Sequence, residues 1–299
     1  MKVRIGYGLG VRSLTNDSER FGEFVDALEG YEFDSLWLSE RLSGDSPDPM
    51  IGLAVAAGRT QKIKLGTSVQ VLPGRNPVVI AKQWATLDRL SGGRTLPAFG
   101  LGVADQREQQ AFGVERGERA KWFNEALPLV RRFWTEDAVD HEGERFSYSA
   151  LTVRPKPLQS PPDVWLGGIA PSELRRVGRL GDGWLPSFCT PADIEQARPT
   201  IEAEAAEHGR TFDDEHWGAL VPYSSGPLPD EVVAAIAARR PDLDDPRQVI
   251  AEGHEGARTA IEQFTKVGTS KFVLVPINEP ADWDTELATL ADAVLDLET

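Results

Sequence analysis

One cysteine and four histidines in 299 residues leave little material for disulfide or metal chemistry. Cys189 stands alone, so an intrachain disulfide is impossible and a cysteine-based zinc site is excluded. His141, His208, His216 and His254 lack the partner at i+3 or i+4 that helical zinc ligation favours, so they read as solvent-facing or capping groups and no metal site is expected. Basic residues are short as well. Lys and Arg number 32 against 47 Asp and Glu, and the formal charge of −15 repels nucleic-acid phosphates and anionic membrane faces. Uncharged stretches such as 65–74 and 95–104 fall well below the about 20 apolar residues that span a bilayer. The chain runs from Met1 straight into Val3-Arg4-Ile5-Gly6-Tyr7-Gly8, without a basic segment and apolar leader, so a cytoplasmic address is the expectation. No G-x-S-x-G elbow or P-loop occurs. Gly6-Tyr7-Gly8-Leu9-Gly10 and Gly100-Leu101-Gly102 both lack the third glycine of a dinucleotide loop.

What is present is alternation. Runs rich in Val, Ile, Leu and Trp at 3–8, 35–38, 63–69, 96–100, 164–167, 183–185, 217–221 and 272–275 are separated by stretches of helical periodicity, the pattern of parallel βα units. About eight strands is the number that closes a TIM-type (β/α)8 barrel. One such α/β barrel is therefore expected over residues 1–299, with insertions after the fourth and seventh strands at about 103–162 and 222–270. The first insertion contains a helix from near Glu118 and a hairpin from His141 to Tyr148; the second has helical pieces at 232–238 and 257–264. Asn76-Pro77 and Thr190-Pro191 read as cap-plus-proline helix starts, and Gly92-Gly93 as a helix stop. Gly8, Gly102 and Gly167-Gly168 fall at the carboxyl ends of strands, the face where barrel enzymes assemble their sites. After Gly168, Ile169-Ala170 leads into a helix whose first-turn N–H groups suit a phosphate, with Arg175 and Arg176 adding positive charge and Glu173 opposing it.

Several segments carry a family likeness: Phe33-Asp34-Ser35-Leu36-Trp37-Leu38-Ser39-Glu40-Arg41, Leu65-Gly66-Thr67-Ser68-Val69, Leu87-Asp88-Arg89-Leu90-Ser91-Gly92-Gly93-Arg94 and Phe99-Gly100-Leu101-Gly102. Val153-Arg154-Pro155-Lys156-Pro157, Val164-Trp165-Leu166-Gly167-Gly168 and Gly181-Asp182-Gly183-Trp184 extend it. In this order they resemble the bacterial luciferase-like flavin and deazaflavin oxidoreductases. The resemblance implies a barrel holding the deazaflavin coenzyme F420, or alternatively FMN, at its carboxyl-end mouth. It also implies a bulge with a non-prolyl cis peptide at Ser68-Val69 against the ring. Cofactor contacts are implied at Ser68, Val69, Leu101, Gly102, Gly167, Gly168, Ile169 and Ala170.

Sugar-phosphate dehydrogenases of that family carry a histidine after an acidic residue at the second strand and a glutamate after the fourth. This chain has Glu40-Arg41 and Val103-Ala104 there, so the sugar-phosphate substrate is not carried over. Glu40 is the candidate catalytic residue, facing the coenzyme's pyrimidine edge or a substrate proton; the competing reading pairs it with Arg41 or Arg94. The expectation is hydride transfer between F420 and an unidentified small organic substrate. An FMN-dependent monooxygenase and a flavin binder without turnover stand as alternatives. Apolar residues in excess of one stripe at 51–57, with the family's habit of pairing there, lead to an expected homodimer.

Overall fold

Each apolar run forms a strand, and most helices begin at a side chain able to cap them. The structure, a computed structural model, describes residues 1–10 and 17–299. The first half runs β1 (Arg4–Gly8), α1 (Ser18–Gly30), β2 (Ser35–Leu38), α2 (Pro49–Arg59), β3 (Lys64–Thr67), β4 (Gln70–Val71), α3 (Pro77–Ser91), β5 (Thr95–Leu96) and β6 (Ala98–Gly100). Then come α4 (Gln106–Phe112), α5 (Arg119–Thr135), β7 (Val139–Glu142), β8 (Ser147–Leu151), β9 (Trp165–Leu166), α6 (Pro171–Leu180) and β10 (Gly183–Trp184). The remainder is α7 (Pro191–Glu207), β11 (Gly218–Ser224), α8 (Asp230–Arg239), β12 (Ala251–Glu252), α9 (Gly253–Lys266), β13 (Lys271–Pro276) and α10 (Trp283–Val294).

Local chemistry sets the boundaries. Asn76 Oδ1 accepts the Val78 N–H at 2.9 Å, Pro77 fills the first turn of α3, and Gly92 ends it in the left-handed region at φ 75°. Thr190 and Asp193 cap each other's backbone at the start of α7. The hairpin is longer than its expected core, pairing Val139 with Leu151 as well as His141 with Tyr148. Asp88, fully buried on α3, accepts from Thr95 Oγ1 (2.7 Å) and from the Leu158 and Gln159 N–H groups (2.6 and 3.0 Å). One carboxylate thereby ties the proline-rich segment after β8 to the helix layer.

Parallel ladders join β12–β11–β13–β1–β2–β3–β5 in one sheet and β10–β9–β6–β4 in another; β7 and β8 form the separate hairpin. The two sheets share interrupted strands. Ser68 and Val69 separate β3 from β4, and Pro97, which has no N–H to donate, separates β5 from β6. At the opposite margin parallel bridges join Trp184 to Trp217 and Ser187 to Leu220.

Two layers of apolar packing result. The larger lies between strands and helices and contains Phe24, Trp84, Phe133 and Leu287. A smaller cluster of Trp37, Ala98, Trp165, Leu185 and Val273 lies on the other face of the strands. Its centre is an edge-to-face contact of Trp37 and Trp165, with centroids 6.3 Å apart. Burying each indole contributes about 4–6 kcal/mol. The rings fit because the strands beside them carry glycine: a Cβ on Gly66 would lie 2.5 Å from Trp37, and one on Gly183 would strike Trp165. Gly66→Ala is therefore expected to lower unfolding free energy by about 1–3 kcal/mol in urea titration. Combined with Trp37→Phe it should lose less than the sum of the single changes.

Candidate active site

At the carboxyl ends of the parallel strands lies a cavity of about 1230 Å³. Its first wall is made by the break between β3 and β4. Thr67 Oγ1 donates to the Ala98 carbonyl at 2.7 Å and accepts the Ala98 N–H at 3.0 Å, taking over where the ladder stops. The Ser68-Val69 peptide is cis. Ser68 N–H donates to the Leu38 carbonyl (2.9 Å), Ser39 Oγ donates to the Ser68 carbonyl (3.0 Å), and Glu40 N–H donates to the Val69 carbonyl (3.2 Å). Val69 then lies against Gly100, where a Cβ would come within 2.5 Å of its methyl group. The outcome is a fixed apolar shelf.

Glu40 supports that shelf from behind. Its carboxylate accepts the Val71 N–H at 2.7 Å and is ion-paired with Arg75. Burial raises its pKa above the ordinary value, against the lowering by the Val71 N–H and Arg75. The partner is thus Arg75, not the expected Arg41 or Arg94. Arg41 pairs with Glu108 of α4 at 2.9 Å. Arg94 sits at the amino end of β5, on the far side of the sheet, and donates to the Ala57, Thr60, Ile63 and Ser91 carbonyls. Arg75 immediately precedes the Asn76 cap, on the loop face of the third strand, and that position was the available clue.

Arg119 is the second residue that sequence reasoning missed. It is buried, its Nη1 donates to the Leu101 carbonyl at 2.9 Å, and its Nε donates to the Val114 carbonyl at 3.3 Å. Burial lowers its pKa, and so does neighbouring Arg116. The guanidinium pins residues 101–103 from below, where Gly102 turns the chain at φ 81°. A cation in the first turn of α5 opposes the helix dipole, and that anomaly was its only mark in the sequence.

The wall after β9 carries the helix start expected to seat an anion, and there the protein's own Glu173 occupies the donors. Ile169 and Ala170 donate their N–H groups to Glu173 Oε2 at 3.1 and 3.0 Å. Arg176 lines the cavity over the Phe123 ring, whereas Arg175 is exposed. A further cation, Arg239, comes from α8 and donates to Ser187 Oγ at 3.0 Å. Burial lowers the pKa of Arg176 and Arg239, and the Glu173 carboxylate opposes that shift in both. Glu40, Ser68, Val69, Leu101, Gly102, Gly167, Gly168, Ile169 and Ala170 all line this one cavity; Gly8 does not, and Gly10 reaches it instead.

Residues 4–275 match the model of the luciferase-like monooxygenase family, and the chain belongs to that family. It is 32% identical over 217 residues to an F420-dependent glucose-6-phosphate dehydrogenase of Intrasporangium calvum, covering 66% of this chain and 64% of the relative. It is 28% identical over 190 residues to a 5,10-methylenetetrahydromethanopterin reductase of Archaeoglobus fulgidus, covering 64% and 55%. The chain thus spans less than two thirds of the length of these relatives. In fold it is similar to an F420-dependent secondary alcohol dehydrogenase solved with an F420-acetone adduct, with TM-score 0.81, 21% identity and full coverage of both chains.

If Glu173 occupies a phosphate seat, Glu173→Ala should raise the affinity for inorganic phosphate about tenfold by removing a like charge and freeing two donors. Calorimetry at fixed ionic strength measures this. Arg176→Leu in the same background should reverse the gain, and unchanged affinity in Glu173→Ala would remove the loop from the site.

Proposed function

We propose that the protein is an oxidoreductase that binds coenzyme F420 and transfers a hydride between it and a small organic substrate. The observation that carries this reading is one cavity joining two unlike features: an apolar shelf at Ser68-Val69 and an arginine-flanked helix start at Gly167, Gly168, Ile169 and Ala170. A volume of about 1230 Å³ leaves space for a substrate beside a tricyclic coenzyme. The choice of F420 over FMN is supported by the F420-dependent glucose-6-phosphate dehydrogenases among its relatives.

In this reading Val69 and Leu101 bear against the ring. The Ile169 and Ala170 N–H groups, with Arg176 and Arg239, take the phosphate once Glu173 swings aside. When bound, the deazaflavin supplies the carbon that accepts or gives the hydride. With both carboxylate oxygens engaged, Glu40 serves to hold the shelf rather than to move a proton, and Arg119 fixes residues 101–103. The Trp184–Trp217 and Ser187–Leu220 bridges support closure of the two sheets into a single eight-stranded barrel over residues 1–299. Residues 103–162 and 222–270 are then insertions after its fourth and seventh strands.

Side-by-side titration with F420 and FMN at matched salt tests the reading. F420 is expected to bind more tightly; tighter FMN binding with oxygen consumption by the reduced flavin would replace it with a monooxygenase. We further propose a homodimer through α2 and α3, where Ile51 and Leu90 are 67% and 77% exposed and Val55 and Val79 accompany them. Sedimentation at micromolar concentration should give twice the chain mass, and Ile51→Glu with Val55→Glu should return it to one.

A further inference from the structure

The shelf and the anion seat occupy the arc of the cavity beside β3, β4, β6 and β9. The opposite arc, at the ends of β10, β11 and β13 and under α8, differs in chemistry. Its apolar walls are Phe188, Leu220, Pro222, Val232, Ile236 and Ile277, with Gln196, Asp193, Asp242 and Glu279 lining the cavity as well. Val232 and Ile236 belong to a separate apolar cluster with Val249 and Ile250, against which Phe188 and Ile277 pack. This cluster is distinct from both main layers of packing, and together with Leu220, which packs on the smaller layer, it gives this arc a small apolar chamber.

Phe188 stands in that chamber under unusual backbone conditions. Its φ is 54°, in the left-handed region that a bulky residue rarely adopts. Two consecutive arginines of the α8 end hold it there. Arg239 lies over its ring at 5.2 Å, and Arg240 Nη1 donates to its carbonyl at 2.6 Å. A glycine would make the same turn without strain, so the turn alone does not account for a phenyl ring at this position.

The charges beside this arc are already engaged. Arg240 is ion-paired with Asp193 at 3.0 Å and Asp242 at 2.6 Å. Arg239 donates to Ser187 Oγ at 3.0 Å, lies over the Phe188 ring, and is assigned to the coenzyme phosphate in the reading above. Among the described residues, neither is left to receive a second phosphate.

We infer that this arc is the substrate half of the cavity, that it takes an uncharged carbonyl compound or alcohol with a hydrocarbon body, and that Phe188 sets its size. The inference rests on the coenzyme reading for the identity of the other half. A homologous series of methyl ketones from butanone to undecanone, with a hexose phosphate as the anionic comparison, tests it by calorimetry on protein with and without F420. Affinity should rise at least about twofold per methylene, the full transfer of one buried methylene being worth about fourfold. Phe188→Gly, which the backbone accommodates, should weaken undecanone about tenfold and butanone less than about twofold. Val232→Ala, two helical turns from Arg239, should weaken undecanone about threefold without changing F420 affinity. Affinity independent of chain length, tighter binding of the hexose phosphate than of any ketone, or undecanone binding untouched in both variants would overturn the inference. Failure of F420 to bind while the ketone series keeps its slope would overturn the coenzyme reading and leave the apolar chamber standing.

Discussion

The edge-to-face contact of Trp37 and Trp165 sets the level at which everything else can happen. Two indoles wedged over Gly66 and Gly183 fill the space beside the strands, so nothing else fits at that depth. The space that remains lies above them, at the carboxyl ends of the strands. There β3 and β5 both lose their regular course, at Ser68-Val69 and at Pro97. The same strands that close tightly around the tryptophans thus open one or two residues later to make a cavity wall. Packing below and binding above are consecutive stretches of one chain, and a change in the glycines under the rings would be transmitted to the shelf.

Charge is distributed against the bulk composition. The chain carries −15 overall, yet arginines stand in and around the cavity, each beside acidic or carbonyl oxygens. Some are neutralised at once: Arg41 by Glu108, Arg75 by Glu40, Arg240 by Asp193 and Asp242. Arg176 donates to Asn124 Oδ1 and Arg239 to Ser187 Oγ, and Arg119 is bonded to carbonyls alone. The arginines of the cavity are thus met by as many carboxylates, and what attraction for an anion survives is local to single side chains rather than a field of the whole pocket.

Much of this was legible in the sequence, and the exceptions share a cause. Strands β1, β2, β11 and β13, the caps of α3 and α7 and all nine expected lining residues follow from local pattern and from family likeness. The partner of Glu40 did not, because pairing depends on which end of a strand a residue occupies: Arg94 and Glu40 are at opposite ends. Arg239 was invisible because α8 reaches the cavity only after the chain has folded back from β11. The opposing role of Glu173 was readable from its place in the first turn of α6. That its carboxylate would reach both the Ile169 and Ala170 N–H groups required coordinates. Sequence reports what a residue is beside along the chain, and these contacts are set by what it is beside in space.

In the proposed reading, the tethered Glu173 carboxylate makes the anion seat selective by subtraction. A covalently attached competitor acts at an effective concentration in the millimolar range or above, so it weakens every incoming anion by the same factor. Free phosphate or sulfate has nothing but the seat to bind and loses that contest. A ligand that also lies on Val69 recovers the deficit from apolar contact elsewhere in the cavity. On that reading the helix start would discriminate against the common inorganic anions of its surroundings in favour of a molecule long enough to engage the shelf at the same time.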